Sequence, residues 1–124
     1  KMFWNCPSDI QGVVSRRELL IEYSDLTDKI IFQQSNTRVS LERTQVNRIN
    51  FAFLDGAHAL NDVLREGKFV AARQTRGDLI LFDDFNETLF PGVVEGVKII
   101  CAEFNYKLTV IGGKNDRFYA ISNN

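Results

Sequence analysis

The chain has 124 residues, a length that fits one domain with a buried core. Its formal net charge of -1 gives no reason to expect a nucleic-acid partner or an anionic membrane surface. Its two cysteines, Cys6 and Cys101, are too few for a disulfide framework or a zinc site, so a reduced, cytoplasmic setting is the default. No apolar stretch approaches the roughly 18 residues of a membrane span. We therefore expect a single domain over residues 1–124 without a nucleic-acid or membrane partner.

The first third of the chain shows few regular elements. Residues 1–14 follow no regular pattern, and Ser15 begins a capping box that predicts a helix to about Tyr23. The elements predicted next are a short strand at residues 29–33 (KIIFQ), a turn at residues 35–37 and one or two helical turns at residues 38–43.

The central stretch, residues 48–84, reads as strand, turn, helix and strand. Its two strands are apolar runs over residues 49–54 and 79–82, and residues 57–73 between them carry apolar side chains at a helical period. Continuous apolar strands joined by a helical crossover are typical of a parallel sheet that is covered on both faces.

The C-terminal third predicts one helix and a hairpin. Pro91 suits the first position of a helix that ends near Asn105. The residues that this helix presents to the sheet are Val93, Val94, Val97, Ile100 and Cys101. Strands over residues 107–111 and 117–121, joined by a turn at residues 112–115, form an antiparallel hairpin. The pattern indicates an α/β fold with a mostly parallel sheet that ends in this hairpin.

Three carboxylates follow the two central strands. Asp55 comes directly after the first strand, and Asp83 and Asp84 come directly after the second. In parallel sheets, ligands bind outside the carboxyl ends of the strands, so these side chains should lie where a ligand binds. Clustered carboxylates repel one another unless a cation joins them, and oxygen ligands suit Mg²⁺, Ca²⁺ or Mn²⁺. The alternative is that the three aspartates cap the following helices and face water.

Four further residues lie near the ends of the predicted strands. His58 is the only histidine and could act as a base, contact a substrate or cap the helix that starts near Ala57. Gly56 is expected to adopt a positive φ in the turn. Ser35 and Asn36 could hydrogen-bond a ligand or form a plain turn.

The sequence resembles the second half of a class I S-adenosylmethionine-dependent methyltransferase. The resemblance rests on INFAFLDGAH, RQTRGDLILFDDF, FPGVVEGV and the final RFYAI strand, and it covers the chain from about Ser15 onward. It is nearest to the metal-dependent O-methyltransferases that act on sugars of macrolide and aminocoumarin antibiotics. This resemblance implies a Rossmann-like three-layer sandwich, S-adenosylmethionine as cofactor and the hydroxyl of a small molecule as methyl acceptor.

The resemblance also implies roles for particular residues. Asp55, Asp83 and Asp84 match the aspartates that bind Mg²⁺ in that family, and Asp55 could double as the general base. The turn that contacts adenine there corresponds to Ser35 and Asn36.

The sequence departs from the family pattern at its N-terminal side. No glycine-rich turn follows an apolar strand before Ser35, so the resemblance implies a truncated, partial domain without its N-terminal strands, which binds S-adenosylmethionine and is active only if the missing segment is present elsewhere. In the family's strand order, 3-2-1-4-5-7-6, this loss leaves the KIIFQ strand without its neighbour. We therefore expect either that KIIFQ pairs with the RINFAFLD strand, or that a second copy of the chain covers the open edge as a homo-oligomer.

Two other functional classes stay open on the sequence. One is a non-catalytic binding or assembly module that keeps the fold, self-associates and has lost the chemistry; the missing glycine-rich turn favours it. The other is a phosphoacceptor receiver domain, which also clusters aspartates around Mg²⁺. Receivers place their acidic pair after the first strand, whereas Asp83 and Asp84 come late in this chain.

Overall fold

The computed structural model describes residues 25, 29–31, 33, 35–112 and 118–124, and the chain forms two units, Lys1–Asn36 and Thr37–Asn124. The helix predicted at residues 15–23 and most of the turn at residues 112–115 lie outside the described residues. In the first unit, the described residues of the predicted KIIFQ strand form a turn and irregular backbone. The prediction of a strand was wrong at these described residues, since none of them belongs to a strand and Ile31 is 90% exposed.

The described residues of the second unit form three α-helices, one 3₁₀ turn and four strands. In chain order they are α1 (Thr37–Ser40), a 3₁₀ turn (Leu41–Arg43), β1 (Phe51–Leu54), α2 (Leu60–Ala71), β2 (Leu79–Phe82), α3 (Pro91–Phe104), β3 (Lys107–Gly112) and β4 (Phe118–Asn123). The predicted helical turns before β1, the predicted bounds of β2 and the predicted start of α3 are confirmed. Asn105 ends α3 in the left-handed conformation, with a φ of 58°.

The four strands form one sheet in the order β1-β2-β4-β3. β1 and β2 are parallel, with Leu54 opposite Phe82, while β4 runs antiparallel to both β2 and β3. The α/β fold that closes with an antiparallel hairpin is thus confirmed. The order also matches the last four strands, 4-5-7-6, of the order that the resemblance implied. In the described sheet β1 is an edge strand.

The core lies between one face of this sheet and helices α2 and α3. Side chains from both helices and from alternate sheet positions form a single cluster, whose most buried members are Ile80, Phe82, Val97, Ile100 and Ala120. All five residues predicted to face the sheet from α3 are buried. On β1, alternate residues Phe51 and Phe53 point to the other face and are 59% and 49% exposed.

The connection from β1 to α2 differs from its prediction. The helix begins at Leu60, three residues after the predicted start at Ala57, and residues 55–59 form a loop. This loop passes close to α3: a Cβ at Gly92 would lie 2.7 Å from the His58 carbonyl oxygen and 2.9 Å from the Leu60 nitrogen. His58 therefore precedes the helix, and Ala59 occupies the N-cap position, so the helix-cap role considered for His58 is wrong.

A buried carboxylate joins the opposite, N-terminal ends of β1 and β2. Asp78 is 5% exposed and accepts hydrogen bonds from Arg48, which precedes β1, and from the Thr75 amide. The hydrogen bond from Arg48 lowers the pKa of Asp78 to about 2. In the same way, the hydrogen bond from Arg38 lowers the pKa of Asp62 to about 2.

These two lowered pKa values predict how stability depends on pH. A carboxyl group with a lower pKa in the folded chain stabilises the fold fully above its unfolded pKa of about 3.9 and loses that contribution as the pH falls toward 2. We expect the free energy of unfolding, measured by urea titration at a series of pH values, to fall between about pH 4 and pH 2. In Asp78→Asn the free energy of unfolding should fall less steeply over this pH range. An equally steep fall would contradict the contribution assigned to Asp78.

Candidate active site

The carboxyl ends of β1 and β2 lie side by side because these strands are parallel and in register. The Asp83 amide continues the pairing by donating to the Leu54 carbonyl at 3.0 Å. The loop after β1 carries Asp55 and His58, and the loop after β2 carries Asp84. Both loops therefore emerge at one edge of the sheet, where ligands of parallel α/β folds bind.

Three side chains from these loops converge. Asp55, His58 and Asp84 each offer a ligand atom, and these atoms lie within 4.8 Å of one another. His58 Nε2 lies 2.9 Å from Asp84 Oδ2, and the exposed fractions of their side chains are 42% and 13%. The Phe90 ring, directly before α3, packs on the imidazole with 4.2 Å between ring centroids. His58 is thus oriented on two sides, by a carboxylate and by an aromatic ring.

Asp83 is not a member of this group although it is next to Asp84. It is 6% exposed, and its Oδ1 accepts a hydrogen bond from the Asp84 amide at 2.8 Å. Asp84 has a φ of 57°, which interrupts the strand alternation. The backbone there sends the Asp84 side chain toward His58. Asp55 and Asp84 of the predicted metal set are thus grouped with His58, while a ligand role for Asp83 stays a prediction.

The grouped atoms have the chemistry of a divalent-cation site. Two carboxylates with further positions open to water or substrate are what Mg²⁺ commonly takes from a protein. A cation that also used the imidazole of His58 would be of the Mn²⁺ or Fe²⁺ type. Behind the loop, a cavity of about 20 Å³ is lined by Asp55, His58, Glu66 and Asp83 among others. A volume of this size is enough for a water molecule or an ion.

The role predicted for Gly56 was wrong, and another one replaces it. Among the described glycines only Gly77 has a positive φ. Gly56 is instead close to a side chain of α2: a Cβ there would lie 2.7 Å from Glu66 Oε2 and 3.1 Å from Oε1. The Glu66 carboxylate therefore occupies the space where a side chain at position 56 would begin.

Four residues around α2 were not singled out in the sequence. Glu66 and Asp62 are buried on one side of this helix, 8% and 3% exposed. The Thr37 hydroxyl donates to Glu66 Oε1 at 2.6 Å, and Arg38 Nε donates to Asp62 Oδ1 at 2.8 Å. The four-residue spacing of the two acids shows that they share a helical face, but charged residues at such a spacing usually face water.

The predicted cofactor contacts, Ser35 and Asn36, are exposed residues at the end of the first unit. Their contact with adenine stays a prediction. No helix in the described parts of the chain is long and apolar enough to cross a bilayer.

Comparison with known proteins gives structural neighbours only. No protein-family model and no curated protein matches the sequence. An O-methyltransferase from Bacillus cereus in complex with SAH superposes with a TM-score of 0.65 and 18% identity, covering 87% of this chain and 56% of that chain. A candidate O-methyltransferase from Klebsiella pneumoniae superposes with a TM-score of 0.64 and 14% identity, covering 90% of this chain and 59% of that chain. The chain spans just over half the length of these neighbours, and it has the Rossmann-like α/β fold of class I methyltransferases.

Proposed function

We propose that this chain carries the metal-binding part of an S-adenosylmethionine-dependent O-methyltransferase that acts on a hydroxyl of a small molecule such as a sugar. The observation that carries the proposal is the convergence of Asp55, His58 and Asp84 at the carboxyl ends of two parallel strands. The SAH complex of the Bacillus cereus neighbour supports the choice of cofactor. The proposal places the protein in the cytoplasm.

The chemistry of O-methylation needs what this group can supply. S-adenosylmethionine provides an electrophilic methyl group when bound, and a divalent cation lowers the pKa of the acceptor hydroxyl. Asp55 and Asp84 would hold the cation, since both carboxylates lie at the open edge of the sheet. His58, oriented by Asp84 and Phe90, would take the hydroxyl proton while the oxygen–methyl bond forms and the sulfur–methyl bond breaks. Asp55 is the other candidate base.

Calorimetric titration with S-adenosylhomocysteine, with and without Mg²⁺, tests this proposal on a protein that carries these residues together with the N-terminal strands and glycine-rich turn that they lack. We expect saturable binding in the micromolar to millimolar range, and we expect Mg²⁺ to bind independently at millimolar concentration or below. Absence of binding by both S-adenosylmethionine and S-adenosylhomocysteine at millimolar concentration, in a sample that melts cooperatively, would overturn the proposed activity.

A second candidate function is a self-associating module that keeps the fold without the chemistry. The observation that favours it is the edge of β1, which has no partner strand among the described elements and exposes Phe51 and Phe53. Unpaired edges of this kind pair with other chains. If two copies met antiparallel about Ala52, Phe51 of each copy would lie opposite Phe53 of the other, and aromatic cross-strand pairs stabilise sheets.

Light scattering separates this candidate from the first. For a self-associating module, we expect the mass of a dimer for the wild type and the mass of a monomer for Phe51→Lys. The melting temperature of the variant should stay close to that of the wild type because Phe51 is 59% exposed. A monomer at all concentrations would contradict the second candidate and leave the first intact.

A further inference from the structure

Glu66 occupies a position that stability alone does not explain. Its carboxylate is buried in α2, with the residue only 8% exposed. Among the described residues, its hydrogen-bond donor is the neutral Thr37 hydroxyl, at 2.6 Å. Burial of a carboxylate costs free energy unless it is well paired, and replacement by an apolar residue of similar volume is often neutral or stabilising. A buried acid at this position therefore calls for a reason beyond core packing.

The Glu66 carboxylate lies against the loop that carries the candidate site. Both of its oxygens would be within about 3 Å of a Cβ at Gly56, so the head group packs directly on the Gly56 backbone. Gly56 stands between Asp55 and His58, which are two of the three grouped side chains. Any displacement of Gly56 therefore moves residues that must converge within 4.8 Å.

The other side of Glu66 holds a second segment of the chain. Thr37 and Arg38, in α1, bind Glu66 and Asp62 of α2, one helical turn apart. Thr37 directly follows Asn36, the residue predicted to contact the cofactor. One helix therefore holds the loop of Asp55 and His58 and also the start of α1.

We propose that Glu66 is a positioning residue, which fixes the loop of residues 55–59 at Gly56 while its other oxygen holds Thr37. The positioning itself goes beyond the proposed function, and only its effect on cation affinity rests on that function. Loss of the carboxylate should loosen the loop and spread Asp55 and His58 apart, with little cost to the core.

Two substitutions at this position, with a surface control, test the assignment. Glu66→Leu removes the hydrogen bond with Thr37 and the carboxylate that packs on Gly56, and it keeps most of the volume, whereas Glu66→Gln keeps an oxygen that can accept from Thr37. Glu103→Gln is the control, because Glu103 is an exposed residue of α3 that pairs with Lys68. Thr37→Val and Thr37→Ser repeat the comparison from the donor side.

The readouts are amide hydrogen exchange over residues 55–59 and Tb³⁺ or Mn²⁺ affinity. We expect Glu66→Leu and Thr37→Val to accelerate the exchange about tenfold and to weaken cation binding by about tenfold, as second-sphere changes commonly do. Their melting temperatures should stay within a few degrees of the wild type. Glu66→Gln, Thr37→Ser and Glu103→Gln should remain near wild type in both readouts.

The two proposals fail separately. If wild-type protein binds no cation, the metal part of the proposed function is wrong, and the exchange rates alone decide the role of Glu66. Wild-type exchange over residues 55–59 in Glu66→Leu, or a uniform acceleration over β1, α2 and α3, would overturn the positioning role.

Discussion

Replacement of Asp84 by asparagine is expected to lower divalent-cation affinity by roughly 100-fold or more. Changes to outer-shell partners alone commonly cost 10–100-fold, and this change removes a carboxylate ligand itself. Asparagine is the suitable substitution since Asp84 has a φ of 57°, and asparagine tolerates the left-handed region better than alanine. The change also removes the carboxylate that lies 2.9 Å from His58 Nε2. Titration with Mn²⁺, followed by electron paramagnetic resonance, measures the effect.

Asp83→Asn is the matched control for this experiment. The buried Asp83 side chain accepts a hydrogen bond from the Asp84 amide, and an asparagine oxygen can accept the same bond. If Asp55, His58 and Asp84 form the site, this variant should bind the cation within about threefold of wild type, since no ligand atom changes and the hydrogen bond from the Asp84 amide is kept. Loss of binding in Asp83→Asn with retention in Asp84→Asn would instead support the ligand set that includes Asp83.

Replacement of Phe82 by alanine is expected to destabilise the fold by about 3–5 kcal/mol. Phe82 is 2% exposed, lies on the helix-covered face of the sheet and belongs to the same buried cluster as Val97 and Ile100. A cavity at this place would be enclosed by α2, α3 and β4, so the surroundings cannot close it by a small shift. Urea unfolding at neutral pH measures the change in the free energy of unfolding.

Phe53→Ala provides the comparison on the neighbouring strand. Phe53 lies on the opposite face and is 49% exposed, so its truncation should cost less than about 1 kcal/mol. An equal decrease in the free energy of unfolding for Phe82→Ala and Phe53→Ala would show that both faces of the sheet are packed, contrary to the exposure of β1. The pair therefore tests which face of the sheet holds the core.

Local sequence patterns determined the elements on which the site is built. The apolar run at residues 79–82 predicts β2, because a run of this length between a turn and carboxylates is long enough for a strand and too short for a helix. Pro91 and the apolar period after it predict α3, since proline suits a first turn and this period places one face on a sheet. Asp55 and Asp84 were placed at one sheet edge because carboxyl ends of parallel strands meet there.

Contacts between distant residues decided which side chains form the site. His58 belongs to the group of ligand atoms and Asp83 does not, and the two loops that carry these residues have a left-handed backbone at Asp84 and a close approach to Gly92. Neither constraint leaves a local pattern in the sequence.

The pairing of Thr37 with Glu66 spans 29 residues, and nothing in the composition of α2 distinguishes a buried glutamate from a solvated one. The sequence by itself therefore determined the four strands of the sheet, the helices α2 and α3 apart from the start of α2, and the sheet edge that Asp55 and Asp84 share, but not the irregular backbone at the KIIFQ segment. The tertiary structure decided the side chains that converge there and the carboxylate that holds their loop, because burial and side-chain direction depend on neighbours that are remote in the chain.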